Sequence, residues 1–303
     1  MQNASKRDFT HEFRHSAVMY AARVIHDSIN IFGDRLTTAI LTIPKWIQAE
    51  LNTHRLLARN SASSRARPNH VVMTSIMEDP VIPVAFHRNA RGMQGGTELV
   101  GVDLELAQWA WLNIRDAVLG SEGYRVLTEL DVHKQTINRT LEAWLFVDVI
   151  VSATDFSGFF AQRVHKDAQP EFQHVARMFK AAFDASTPRK LSPGDWHMPL
   201  LREDEADLDS CIARRVSAAR CARVSYMTHE GVRSVDADLD LFDRLVARAP
   251  DPGHWSPLEH VARCQGERRM SGPFTGWSQL RKFYSDEHPR DRGDLEIAVE
   301  TNR

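Results

Sequence analysis

LTTAILTI-P-KWIQAELNTHRLL-A-RNSASSRARPN, residues 36–69, reads as strand, helix and loop in one unbroken stretch. Leu36 to Ile43 is apolar and rich in β-branched residues, which suit a pleated surface. Pro44 opens a helix over KWIQAELNTHRLL, with Trp46, Ile47, Ala49 and Leu51 as its apolar positions. Proline fits a first helical turn because its missing N–H has no partner there. Arg59 to Asn69 has no hydrophobic face, and its Ser, Asn and Arg content predicts a loop.

Outward from this stretch the chain is helix-rich. Residues 79–101 look irregular around NARGMQGG (Asn89 to Gly96), either as a flexible connector or as backbone that approaches a ligand closely. Asp103 is placed to cap a helix reaching about Leu119, with Leu104, Ala107, Trp111 and Ile114 on one face. Residues 138–153 are apolar and predict a buried helix. Pro170 starts another, with Phe172, Val175, Phe179 and Ala182 turned inward. Residues 187–209, rich in Pro, Asp and Glu, read as a linker. Helices follow near 209–222 and 237–249, and HWSPLEH (His254 to His260) is a turn into a helix or strand. The tail after Ser285 is charged and expected to be poorly ordered. AARVIHDSIN (21–30) followed by LTIPKWIQAEL echoes CARVSYMTHEG (221–231) followed by SGPFTGWSQLRKF, a faint internal repeat.

With 303 residues, 43% of them hydrophobic, the chain can bury one large core or two joined halves. A formal charge of −2 gives no footprint for duplex nucleic acid, yet leaves room for a local phosphate pocket. Three scattered cysteines, Cys211, Cys221 and Cys264, argue against a disulfide framework or a zinc ribbon. No apolar run approaches a membrane span, and the opening MQNASKRDFTHEFRH lacks the apolar centre of a signal peptide, so a cytoplasmic protein is expected.

Three stretches have the makings of a site. Arg55, Arg59, Arg65 and Arg67 set four cations within 13 residues, beside His54, Asn60, Ser61, Ser63 and Ser64. Guanidinium groups and hydroxyls of this kind suit phosphate, although a solvated basic loop has the same composition. In HWSPLEH the spacing of His254 and His260 and the break at Pro257 speak against metal. Asp155 to Arg163, followed by His165, Asp167, Ala168, Gln169 and Glu171, sets an arginine beside aromatics. That arrangement serves a flat heterocycle or an ordinary packed helix.

Together these segments resemble the flavin-dependent thymidylate synthases. That family carries R-H-R, seven residues, Ser, and often an Arg two places on; here Thr53-His54-Arg55 is followed by LLARNSA, Ser63 and Arg65. It carries G-H-x-[ST]-P-x-E-H, matched by Gly253-HWSPLEH, and N-F-x-x-L-R-x4-A-Q-x-E-I, which resembles Gly158-FFAQR-VHKD-AQPEF. The family's H-x-S-P-x-E-H block normally precedes R-H-R, whereas here His254 follows His54, so the chain looks like a rearranged or half-duplicated variant.

The resemblance implies an α+β, thymidylate synthase-complementing-protein-like fold, with a central mainly antiparallel sheet and long helices. It implies a methyltransferase of nucleotide biosynthesis in which FAD, reduced by NADPH, serves transfer of a one-carbon unit from methylenetetrahydrofolate to C5 of dUMP. Homotetramers are implied, or dimers if the chain is duplicated. The expected divisions are a flavin and nucleotide core (1–186), the linker (187–209), a second half-repeat (210–285) and the charged tail (286–303). By the resemblance His54, Arg55, Asn60, His254, Ser256 and Glu259 hold the cofactor. Glu50, Ser61, Ser63, Ser64, Arg65, Arg139 and Arg163 hold the substrate, with Arg163 activating the ring. A permanent cation suits that task, because C5 of uracil is a poor nucleophile until charge builds on the ring. Ser63 has no identifiable base beside it and is read as a phosphate ligand rather than a nucleophile.

Four departures stand out. Thr53 replaces the first Arg of R-H-R, Gly158 an Asn, Ser61 a common Glu, and Glu50 a Gln of the nucleotide pocket. A carboxylate at position 50 accepts from an amino group and repels phosphate. This leaves open a hydroxymethyl product or a cytosine nucleotide as substrate. A structural member of an assembly and a metal-dependent hydrolase are the further alternatives.

Overall fold

In the computed structural model, which describes residues 20–226, 234–246 and 254–284, LTTAILTI lies in the middle of a sheet. β1 (Ala21–Ile29) and β2 (Arg35–Pro44) form an antiparallel pair. Every residue from Leu36 to Leu41 is buried. A strand covered on both faces shows no polar alternation, hence the unbroken apolar run.

The helix expected after Pro44 is shorter than its sequence suggests. Lys45–Ile47 make a 3-10 turn and α1 (Gln48–Leu51) a single α-turn. The chain then folds back, with the Thr53, His54 and Leu57 N–H groups donating to the carbonyls of Glu50, Leu51 and His54. It enters β3 (Ala58–Ser61), so the first three residues of the expected loop are an edge strand. Next come α2 (Asn69–Glu78), α3 (Val102–Leu119), α4 (Glu122–Glu129) and α5 (Lys134–Ile137). Val72, Ile76, Tyr124, Leu141 and Trp144 close a small core of their own here. Asp103 does not cap α3. Gly101 occupies the cap position, and the Asp103 carboxylate takes a hydrogen bond from Arg88 at 2.6 Å.

Residues 138–153 are not a helix. Asn138–Trp144 form a 3-10 stretch and β4 (Phe146–Ala153) follows. β4 pairs antiparallel with both β2 and β3. An apolar run buried on both faces looks alike as helix or strand; here β-branched Val147, Val149, Ile150 and Val151 decide for the strand.

Then come α6 (Ser157–Arg163), α7 (Pro170–Ala185), β5 (Arg189–Lys190), β6 (Trp196–His197), α8 (Ser210–Tyr226) and α9 (Val235–Val246). β7 (Ala262–Cys264), β8 (Met270–Ser271), β9 (Phe274–Thr275) and β10 (Trp277–Gln279) are the remaining described strands, and a 3-10 turn, Leu280–Phe283, follows. The main sheet runs β3-β4-β2-β1-β5, antiparallel except where β5 joins β1. The protein is therefore α+β with a mainly antiparallel sheet, as expected.

Alternate residues of β2 face opposite layers. Ala39, Leu41 and Ile43 pack with Phe172, Val175, Ala176 and Phe179 of α7, while Ile40 packs with Cys221 and Val224 of α8. Phe172 and Phe179 are fully buried, each contributing roughly 1.5–3 kcal/mol. The stretch expected to be a linker is anchored in this structure: it supplies β5 and β6, and its His197 and Glu205 are buried.

The two halves of the faint repeat do not share local structure. The first A-R-V lies in β1 and the second in α8, where Ala and Arg favour helix. Residues 1–19, Gly253 and the charged tail 286–303 lie outside the described residues. Cys211, Cys221 and Cys264 are free thiols. Among the described residues, no helix is long and apolar enough to cross a membrane.

Candidate active site

Arg163, at the end of α6, reaches back to the turn after α1. Its Nε–H donates to His54 Nε2 at 2.8 Å, Nη1 to Glu50 Oε2 at 2.9 Å, and Nη2 to Thr53 Oγ1 at 3.4 Å. Its guanidinium lies over the Phe172 ring, 4.5 Å from the centroid. His54 packs edge-on to Phe159, with centroids 5.0 Å apart. Burial first, then Arg163 and Arg59, pull the His54 pKa down to about 4. The ring is thus neutral near pH 7 and accepts at Nε2, which puts its proton on Nδ1. The arginine is fixed by residues distant in sequence but adjacent in the fold.

Glu50 and Arg163 line a cleft of about 840 Å³ with His87, Met93 to Gly96, Ala161, Gln162 and residues 165–170. The NARGMQGG stretch is thus one wall of it. His87 bridges Glu98, and Arg88 N–H donates to the Thr97 carbonyl at 2.9 Å, making a small hairpin. Its tip is tied across the cleft by Gln94 Nε2, which donates to the Asp167 carbonyl at 2.8 Å. Gly95 is required by closeness, because a Cβ there would lie 2.5 Å from His87 Cβ.

The Ser/Arg loop divides its side chains between inside and outside. Ser61 Oγ accepts from Gln48 Nε2 at 2.5 Å, and Gln48 Oε1 accepts from Lys45 at 2.5 Å. Ser64 is buried and donates to Glu142 Oε1 at 2.6 Å, the atom that also pairs with Arg139 at 3.0 Å. Asn138 Nδ2 donates to the Ser64 and Arg67 carbonyls at 2.8 and 3.0 Å, fixing the turn. Ser63 Oγ accepts from the Arg65 N–H at 3.3 Å, and the Arg65 side chain is exposed. Lys45 is half-buried; desolvation lowers its pKa, while nearby Glu142 raises it. The loop thus offers Ser63 and Arg65 outward and turns Ser64 inward.

HWSPLEH meets β3 from the other side. Ser256 Oγ donates to Asn60 Oδ1 at 3.3 Å, and Asn60 Nδ2 donates to the Cys221 carbonyl at 3.1 Å. Glu259 pairs with Arg281. Arg59 feels the charges of both Glu259 and Arg55, and itself acts on His54, so these residues lie around it. His254 and Arg55 are exposed. His260 is fully buried and joins a chain of polar groups: its Nδ1 meets Ser152 Oγ at 2.9 Å, Ser152 meets Thr38 at 2.6 Å, and Thr38 meets His197 Nε2 at 2.8 Å. His197 Nδ1 ends on Ser28 at 2.9 Å. Burial drives the His260 pKa down to about 3.

Lys45, Gln48, Glu142 and His87 escaped the sequence reading. Gln48 and Lys45 were within reach of it, since both lie within a turn or two of Glu50; the others are brought in by tertiary contacts.

No protein-family model matches the chain, and no curated protein matches it. Among solved structures the chain is similar to a UMP/dUMP methylase, PolB from Streptomyces cacaoi, bound with 5-Br dUMP. The identity is 16% and the TM-score 0.39, covering 49% of this chain and 66% of that one. It is similar also to flavin dependent thymidylate synthase ThyX from Helicobacter pylori complexed with FAD and dUMP, at 14% identity and TM-score 0.31, covering 49% of this chain and 67% of that one. The likeness thus spans about half of this chain and about two thirds of each neighbour.

Proposed function

We propose that the protein is a flavin-dependent methyltransferase acting at C5 of a pyrimidine nucleotide, of the thymidylate synthase type. Its substrate is dUMP, FAD is its cofactor, and NADPH and methylenetetrahydrofolate are its co-substrates. The supporting observation is that Arg163 joins His54 and Glu50 beside one cleft while Ser256 joins Asn60 on the adjoining strand. Segments separated by more than 100 positions (109 for Arg163 and His54, 196 for Ser256 and Asn60) meet along β3 and the turn before it.

The residues fit a flavin. Asn60, Ser256 and Glu259 offer polar groups near Arg59, and Arg55 adds an exposed cation for a pyrophosphate. His54, Arg55, Asn60, His254, Ser256 and Glu259 would hold the group, which supplies redox chemistry when bound. The chain's own part is placement. Arg163 is clamped by the chain's own residues, so its remaining N–H bonds need little reorganisation to meet a ring oxygen or nitrogen. Ser63, Arg65, Arg139 and Lys45 offer donors for the phosphate. Assembly into a homo-oligomer, a tetramer by the resemblance, goes with this reading.

The test is product identification by mass spectrometry, using purified protein with FAD, NADPH, methylenetetrahydrofolate and either dUMP or dCMP. The expected product is dTMP from dUMP. Flavin-loaded protein that methylates neither nucleotide would contradict the proposal. A hydroxymethyl product, or a product from dCMP, is the second reading, since a carboxylate in the cleft such as Glu50 can also accept from a C4 amino group.

A further inference from the structure

Glu50 is a carboxylate in a cleft read as a nucleotide site. Oε2 accepts from Arg163 at 2.9 Å, and among the described residues Oε1 meets no hydrogen-bond donor. The Glu50 side chain is 41% exposed against 16% for Arg163, so Glu50 is the more open partner of the pair. The two charges offset each other, which makes this end of the cleft a poor place for phosphate.

What the pair presents is a donor beside an acceptor. The unused N–H bonds of Arg163 can give to a ring oxygen or nitrogen, while Glu50 Oε1 can take a proton-bearing nitrogen next to it. Uracil offers that pairing through N3–H and its flanking carbonyl oxygens. The clamp also keeps the acceptor in place. Thr53 Oγ donates to the Glu50 carbonyl at 2.7 Å and accepts from Arg163, tying both residues to one turn.

We propose that Glu50 is a specificity-determining residue that reads the ring N–H of the pyrimidine through its free carboxylate oxygen. The base then lies at Glu50 and Arg163, with the phosphate away from this pair. This inference rests on the reading of the cleft as a pyrimidine-nucleotide site.

Calorimetric titration of the full chain with dUMP and with N3-methyl-dUMP, which lacks the ring N–H, tests it. Wild-type protein is expected to bind dUMP at least about tenfold more tightly than the methylated ligand, the size of one hydrogen bond to a charged group. In Glu50→Ala the ratio should fall below about twofold. In Glu50→Gln, which keeps the size and a weaker acceptor and serves if the alanine variant does not fold, it should lie between the two. Equal binding of the two ligands by wild-type protein, or a ratio unchanged in the variants, would overturn the assignment of Glu50 while leaving the nucleotide site standing. No binding of dUMP at all would overturn both.

Discussion

His54 and His260 belong to two different motif stretches of this chain, and burial keeps both neutral, with pKa values drawn down to about 4 and about 3. Their surroundings differ. His54 sits half-buried at a cleft, between an arginine it accepts from and aromatic rings it packs on. His260 sits beneath the sheet, in a chain of hydroxyls and a second histidine that runs through β4, β2 and β6 to β1. One neutral imidazole fixes a cation beside a cleft; the other secures the HWSPLEH turn against the core. A lowered pKa by itself therefore does not identify a functional histidine, and the partners do.

The comparison makes graded predictions. The largest effect is expected at the cleft. Arg163→Ala should lower turnover by about 100- to 1000-fold, the loss seen when a fixed transition-state donor is removed, with little change in melting temperature. A variant that keeps most of its turnover would remove Arg163 from the chemistry.

Next comes the buried chain. His260→Ala should cost roughly 2–4 kcal/mol in urea unfolding, from the cavity and from the hydrogen bond Ser152 loses. A cost below about 0.5 kcal/mol, the scale of a surface change, would show that the chain is not a structural tie.

Smaller per residue is the response to acid. His260 and His26, whose pKa is drawn down to about 4 chiefly by burial, are neutral in the fold but bind protons below about 6.5 once unfolded. Stability is thus fully present above that pH and is lost as pH falls toward the folded values. The loss is about 2 kcal/mol per histidine by pH 5. His54 adds less, being open to solvent. Unfolding curves that are flat between pH 7 and 5 would contradict the burial of these rings.

The smallest effect is at the strand edge. Ser256→Ala removes one 3.3 Å bond to Asn60 and should cost at most about 1 kcal/mol of stability, while weakening flavin retention. Equilibrium dialysis against FAD measures the second part, and unchanged retention would take Ser256 out of the cofactor site.

Some of this was legible in sequence. β2 showed through its β-branched run, and α7 through Pro170 and the spacing of Phe172, Val175 and Phe179, because strand and helix periods are local properties. β4 was misread because a strand buried on both faces has lost the alternation that marks a strand. The motif stretches marked Glu50, His54, Ser63 and Arg163, but not which side chains face out. Ser63 and Ser64 are neighbours of one type, and what turns Ser64 inward is Glu142, 78 positions away. The same holds for the cleft wall: Gly95 marks a close approach, yet His87 becomes its neighbour only through the hairpin.

The central claim is that Arg163 and the β3 edge build one site for a flavin and a pyrimidine nucleotide together. The most direct measurement is a titration of FAD-loaded protein with dUMP, followed by the visible absorption of the flavin, in wild type and in Arg163→Ala. The account predicts a saturable spectral change in wild type that is lost or greatly weakened in the variant. A flavin spectrum indifferent to dUMP, or one that responds equally in both proteins, would contradict it.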